Sequence, residues 1–312
     1  MPNKATLDIH GRKVDVTNLD KIFYPKTGFT KGNIIDYYVR ISPVLLPHLR
    51  NRAISLKRYP DGVEGFFFYE KNAPKHRPAW IKTTKVPKSE GGEINYCVMN
   101  DLAALVWAAN LADLELHTFL HKAPALQRPT TIAFDLDPGP PADIINCCQV
   151  GLWVKSIFDG LGLASFPKTS GSKGLQIYVP LNAPTSYDKT KAFALEIAHL
   201  LEKNFPEMVV SKMQKNLRGG KVLVDWSQND DKKTTVNVYS LRAKDHPTVS
   251  TPVTWDEVSL ALKKKNAMLL TFESEQVLRR VEANGDLFAD VLKLKQKLPS
   301  IKALAGLEKK IS

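Results

Sequence analysis

The stretch "TIAFDLDPGPP", residues 131–141, restricts the fold more than any other part of this 312-residue chain. Side chains in a β-strand alternate between two faces. Ile132, Phe134 and Leu136 therefore point one way, into a core, while Ala133, Asp135 and Asp137 point the other. Proline lacks the ladder donor, so the Pro-Gly-Pro-Pro turn ends the strand and leaves both acids at its C-terminal edge. Two like charges roughly 6–7 Å apart on one strand face repel each other unless a cation lies between them. Mg2+ or Mn2+, which prefer hard oxygen ligands, would resolve the conflict. A D-x-D pair also arises as a simple turn cap, so the pair alone leaves both readings open.

A third acid follows in "KVLVDWSQND". Alternation sends Val222, Val224 and Trp226 to the core and puts Asp225 on the side of Leu223. If the two strands are neighbours, three carboxylates converge, as in a two-metal phosphoryl-transfer site. "SGSKG", residues 170–174, places hydroxyls and glycines around Lys173 just before the apolar run "LQIYVPL". Such a loop can turn N–H groups towards an anion. It is not the G-x-x-x-x-G-K-[ST] phosphate loop, and on its own it reads first as a hairpin turn with an exposed lysine. Arg218 and Arg242 flank the Asp225 strand and its successor; each alone is a surface arginine, but as a set around an acidic site they suit a triphosphate. Asn18, Lys21 and Lys31 fall near a helix start, as a phosphate clamp would, or as ordinary basic surface. In "GFFFYE", an outward Phe68 or Tyr69 can stack on a base or a duplex end.

The remaining pattern mixes strands and helices without strict alternation, which predicts an α+β fold. Helices are expected over "TKGNIIDYYVRISPVLLPHL" with Thr30 as cap, "DLAALVWAANLADLEL", "ADIINCCQVGLWVKSIFDGLG" and "SYDKTKAFALEIAHLLEKNFP", and again in the basic C-terminal part. Strands are expected at "AISLKR", "TIAFDLD", "GLQIYVPL", "KVLVDWS" and "TVNVYSL". The chain reads as a single domain, 1–312, with a soft boundary near 122–130. That boundary separates an N-terminal DNA-end-binding part from a C-terminal metal and nucleotide part. A net charge of +12, from 44 Lys and Arg against 32 Asp and Glu, favours a polyanionic partner. Three cysteines without a C-x-x-C form neither a disulfide framework nor a zinc site and fit a reducing cytosol. No apolar leader or membrane span is visible.

With these motifs in place, the chain resembles the polymerase domain of bacterial ligase D, of the archaeo-eukaryotic primase superfamily, from "LDKIFYPKTGFTKGNIIDYY" to "YSLRAKDHPTVSTPVTWDEV". "FDLDPG", "TSGSKGLQ" and "VLVDWSQN" carry the resemblance. It implies a primase-polymerase fold of mixed and antiparallel sheets flanked by helices, and a nucleotidyltransferase of nonhomologous end joining. It implies Asp135, Asp137 and Asp225 as ligands of two Mn2+ or Mg2+ ions, and NTP or dNTP as substrate, with ribonucleotides favoured. Lys57, His117, Ser170, Lys173, Arg218, Gln228 and Arg242 become nucleotide contacts. Asn18, Lys21 and Lys31 read the downstream 5′-phosphate, and Phe68 and Tyr69 take the place of paired stacking aromatics. Implied partners are DNA ends and gapped or nicked duplex, with Ku and a DNA ligase, in the cytoplasm at the nucleoid and away from membranes. Gln176 departs from the pattern, since many relatives carry histidine there; glutamine cannot be protonated or ligate as imidazole does. A non-catalytic module that binds and bridges DNA ends competes with this reading, as does a metal-dependent nuclease. The triphosphate set separates the polymerase from the nuclease.

Overall fold

The computed structural model of the protein describes residues 4–306. The chain forms two compact units. The first runs to Pro124 and adds Thr234–Ser250 and Phe272–Asp286; the second comprises Ala125–Lys233, Thr251–Thr271 and the chain from Leu287.

The first unit is built on a six-stranded antiparallel sheet. Its order is Thr235–Val236, Asp113–Thr118, Ala53–Arg58, Glu93–Val98 and Lys82–Pro87, with Phe68–Glu70 paired to Ala53–Arg58. The helix Lys31–Leu49 begins where its cap predicts. Asn33 N–H donates to the Thr30 hydroxyl, and Thr30 N–H donates back to Asn33 Oδ1, which satisfies two donors that a helix start leaves open. Ile34, Tyr38, Ile41 and Leu45 line its fully buried face, and the Tyr38 hydroxyl donates to the Leu114 carbonyl.

Two expectations fail in this unit. The helix expected to run through "DLAALVWAANLADLEL" stops at Asn110, and Asp113–Thr118 is a strand. The reversal comes at Ala112, whose φ of +64° lies in the left-handed region. From there an antiparallel ladder with Ala53–Arg58 outweighs the helical preference of a largely apolar run. "TVNVYSL" keeps strand structure only at Thr235–Val236.

The second unit holds a five-stranded sheet in the order Phe166–Thr169, Leu175–Pro180, Thr131–Pro138, Val222–Asp225 and Val209–Val210. All pairs are antiparallel except the last, which is parallel. Ile132, Phe134 and Leu136 are fully buried, beneath the helix Ile144–Gly160. Phe134 meets Phe158 with ring centres 5.7 Å apart. Cys147 and Cys148 are buried free thiols of this helix, and Cys147 Sγ bonds the Leu136 carbonyl. The opposite sheet face carries the acids. Among the described residues no helix is long and apolar enough to cross a membrane.

Candidate active site

The register of the second unit's sheet places Asp135 directly opposite Asp225, and Asp137 opposite Leu223. All three acids therefore share the face away from the buried core, as alternation predicts. Burial, followed by the charge of Asp225 across the ladder, pushes the Asp135 carboxyl up to about 6. A site that forces two carboxylates together and disfavours ionisation of one is the electrostatic problem a divalent cation relieves. The donor set, carboxylate oxygens alone, suits Mg2+ or Mn2+. Among the described residues, though, no group of three His, Cys, Asp or Glu side chains converges as a metal cage. Each acid outside the Asp135 position has another partner. Asp137 lies 3.5 Å from Arg218. Asp225 accepts from Gln228 Nε2 at 2.7 Å, from Ser227 Oγ at 2.5 Å and from Ser227 N–H at 2.9 Å.

The Pro-Gly-Pro-Pro turn now has a function in the fold. Gly139 N–H donates to the Lys221 carbonyl at 2.8 Å. A Cβ at Gly139 would stand 1.9 Å from the Arg218 carbonyl oxygen, so only glycine lets these two backbones approach. That approach brings Arg218 beside Asp137. "SGSKG" is the hairpin between Phe166–Thr169 and Leu175–Pro180, as its first reading predicts. Ser170 Oγ accepts from the N–H groups of Ser172 and Gly174, and Lys173 is exposed. Gln228, expected at the nucleotide, donates to Asp225 and so stands beside the acids. Ser227 and Lys233, which bonds the Ser227 hydroxyl, carried no sequence signal of their own.

The first unit gathers Lys57, His117 and Arg242 around a residue that sequence reasoning missed, Glu115. Its side chain is 2% exposed. Lys57 Nζ lies 3.1 Å from Oε2, His117 Nε2 lies 3.0 Å from the same oxygen, and Arg242 Nε lies 3.4 Å from Oε1. Ala243 N–H and the Tyr59 hydroxyl also donate to Oε1. Burial alone would raise the Glu115 carboxyl. The His117 hydrogen bond, with Arg242 and Lys57, instead carries it well below the usual carboxylate range. An ionised carboxylate only accepts, so His117 carries its proton on Nε2. Burial pushes His117 itself below its ordinary value, against the pull of Glu115. The missed signal was alternation again: in "DLELHT", Asp113, Glu115 and His117 share one face.

The aromatic run divides. Tyr69 lies opposite Lys57 in register, with its ring 5.6 Å from the ammonium and edge-on to His117 at 5.9 Å. Phe68 faces the other way and is half-buried over Arg58, so of the two rings expected outward Tyr69, at 50% exposed, is the one that is. Phe66, at 72% exposed, and Phe67, at 47%, are outward as well.

Asn18, Lys21 and Lys31 do come together. Lys21 N–H donates to the Asn18 carbonyl, and Lys31 N–H to the Lys21 carbonyl. Burial, then Lys21 and Arg58, push the Lys31 ammonium down to about 8. Lys21 pairs with the exposed Asp61, and Lys31 Nζ reaches the Thr17 hydroxyl at 3.5 Å.

The LigD primase-polymerase domain model matches residues 30–288 of the chain. The chain belongs to the LigD primase-polymerase family. It is 39% identical over 279 residues to the multifunctional non-homologous end joining protein LigD of Mycolicibacterium smegmatis, covering 89% of this chain and 36% of that protein. With the bifunctional non-homologous end joining protein LigD of Bacillus subtilis it shares 32% over 299 residues, 96% of this chain and 47% of that one. The chain thus spans less than half the length of either relative. Among solved structures it is similar to the polymerase domain of Mycobacterium tuberculosis ligase D in complex with DNA, at 37% identity and a TM-score of 0.83. That match covers 90% of this chain and 98% of the solved one. The α+β primase-polymerase fold and the nucleotidyltransferase class expected from the sequence follow from membership in this LigD family.

Proposed function

We propose that this chain extends primer 3′ ends at gaps and double-strand breaks during nonhomologous end joining, with ribonucleotides preferred and the downstream 5′-phosphate as its guide. One observation carries the reading: Asp135 faces Asp225 across paired strands, with Asp137 on the same sheet face. Asp135, Asp137 and Asp225 would hold two Mn2+ or Mg2+ ions. Bound there, such ions supply Lewis-acid activation of the primer hydroxyl and neutralise the departing pyrophosphate. Arg218 beside Asp137, with Lys173 and the Ser170 turn, would meet phosphate charge in the second unit. In the first, Lys57, His117 and Arg242 would do so, and the buried Glu115 holds them in place. Gln228, bonded to Asp225, would contact the nucleotide from that side. Because Asp135 carries charge reluctantly, binding of a cation and loss of its proton are coupled.

Recognition of the 5′-phosphate falls to Asn18, Lys21 and Lys31. The Lys31 ammonium is buried and has Lys21 and Arg58 as positive neighbours, and a phosphate dianion would give it the counter-charge that burial denies it. Tyr69, Phe66 and Phe67 are exposed rings that would stack on an end. The partners of this activity would be phosphorylated DNA ends, then Ku and a ligase to complete the joint, at the nucleoid.

The test is primer extension on a short gapped duplex with manganese, with and without a 5′-phosphate on the downstream strand, using each nucleotide type. Extension stimulated by the phosphate and favouring ribonucleotides is expected. Asp135→Ala should abolish synthesis and spare end binding. End binding without extension by the unaltered chain would instead assign a bridging role.

A further inference from the structure

Lysine is almost never fully buried, because its charge leaves water at a cost that only good partners offset. Lys168, in the strand Phe166–Thr169, is fully buried. Its Nζ donates to Gln176 Oε1 at 2.6 Å and stands 5.5 Å from the centre of the Tyr178 ring. Strand register explains the placement. Lys168 pairs with Gln176, Gln176 with Asp135, and Asp135 with Asp225. The four side chains form one row across four adjacent strands, on the face that carries the acids.

The chemistry along the row has a direction. An ammonium only donates, and an amide oxygen only accepts. Lys168 therefore fixes which end of the Gln176 amide faces it, and the amide NH2 is turned along the row to Asp135, with which Gln176 is hydrogen-bonded. Glutamine can accept from the lysine and donate to the carboxylate through one planar group, which accounts for Gln176 at this position.

We propose that Lys168 is a positioning residue for Asp135. Through Gln176 it fixes the orientation of that carboxylate, and it places a buried positive charge beside the acidic pair, so that Asp135 is held ready for a divalent cation. The inference rests on Asp135 being a metal ligand, as proposed above.

The test uses Lys168→Met and Gln176→Met, each close to the original in volume, and the double variant. Mn2+ binding to the full chain, without DNA or nucleotide, is followed by the electron paramagnetic resonance signal of free Mn2+. Thermal melting, the manganese dependence of primer extension and the nucleotide KM at saturating manganese are measured alongside. Each single variant should melt cooperatively and bind Mn2+ at least tenfold more weakly. The manganese requirement of extension should rise by the same factor, with the nucleotide KM within twofold. The double variant should bind Mn2+ no more weakly than either single one, because both substitutions cut the same link. Unchanged Mn2+ affinity in a folded variant overturns the proposal, as do losses that multiply in the double variant. A lowered melting temperature with unaltered metal affinity assigns Lys168 to structure alone and overturns it too. If Lys168→Met does not fold, Gln176→Met decides. An unaltered chain that binds no Mn2+ overturns the metal reading itself, whereas normal binding by the parent and by the variants overturns only the role of Lys168.

Discussion

Glu115→Gln is the substitution with the most calculable effect. The residue is one carboxylate, 2% exposed, with Lys57, His117 and Arg242 at 3.1, 3.0 and 3.4 Å. Lys57 and Arg242 are themselves only 13% and 15% exposed, so water cannot replace the lost charge. Removing one partner of a buried charge pair costs about 3–5 kcal/mol, because the other is left uncompensated. The amide adds a second fault, since its NH2 would face a donor. For a structure of this size a loss of 1 kcal/mol lowers Tm by about 2–4 °C, so about 6–20 °C is expected. Thermal melts followed by circular dichroism at pH 7.5 measure it. The pH dependence supplies an independent check. The Glu115 carboxyl is held below its unfolded value, so its contribution is fully present above about pH 4.5 and is lost as pH falls towards the folded value. The gap between parent and variant should therefore be constant at neutral pH and close below about 4.5. A variant that melts within about 2 °C of the parent would refute the account of Glu115 as the charge that holds Lys57, His117 and Arg242 together.

Two further outcomes follow from geometry already described. Lys31 loses its proton near 8 in the folded chain, and only the ammonium attracts a phosphate dianion. The preference for 5′-phosphorylated ends should therefore fall by up to about tenfold per pH unit above that value, and Lys31→Met should remove it at every pH. A preference that stays constant from pH 7 to 9.5, measured by fluorescence anisotropy with paired duplexes, would count against Lys31 as the phosphate contact. Gly139→Ala drives a methyl into the Arg218 carbonyl and should cost about 1–3 kcal/mol in urea unfolding. It should also displace Arg218 from Asp137, so a variant of unchanged stability and extension rate would show that the close approach is not needed.

What the sequence disclosed depended on whether the information was local. Alternation along "TIAFDLD" and "KVLVDWS" assigned the faces of Asp135, Asp137 and Asp225, and the observed register matches that assignment. The cap at Thr30 set the start of the helix Lys31–Leu49. Where a feature depended on a distant strand, the sequence was silent. The run "LAALVWAA" within "DLAALVWAANLADLEL" is apolar on every side, so its period does not announce the switch to a strand after Ala112. Glu115 looked like one more acid until Ser55–Lys57 and Arg242 were packed around its strand. Lys168 carried no sequence signal, because only the pairing of three strands buries it beside Gln176 and Asp135. Alternation along the aromatic run left Phe68 and Tyr69 as alternatives for the outward ring, and the three-residue strand turns Tyr69 out while Phe68 lies half-buried over Arg58.

Each unit draws on separated runs of sequence, and the chain passes from one to the other after Pro124, Lys233, Ser250, Thr271 and Asp286. A gene fragment that encodes the acid-bearing sheet alone would omit Thr251, whose carbonyl accepts from Thr169 N–H, and Pro252, which bridges Lys168. Its edge strand would be left bare at the very row that leads to Asp135. Recombination at a single junction therefore cannot transplant this acid-bearing sheet into another protein. The fold is inherited whole, and variation has to enter as substitutions and loop changes rather than by exchange of parts.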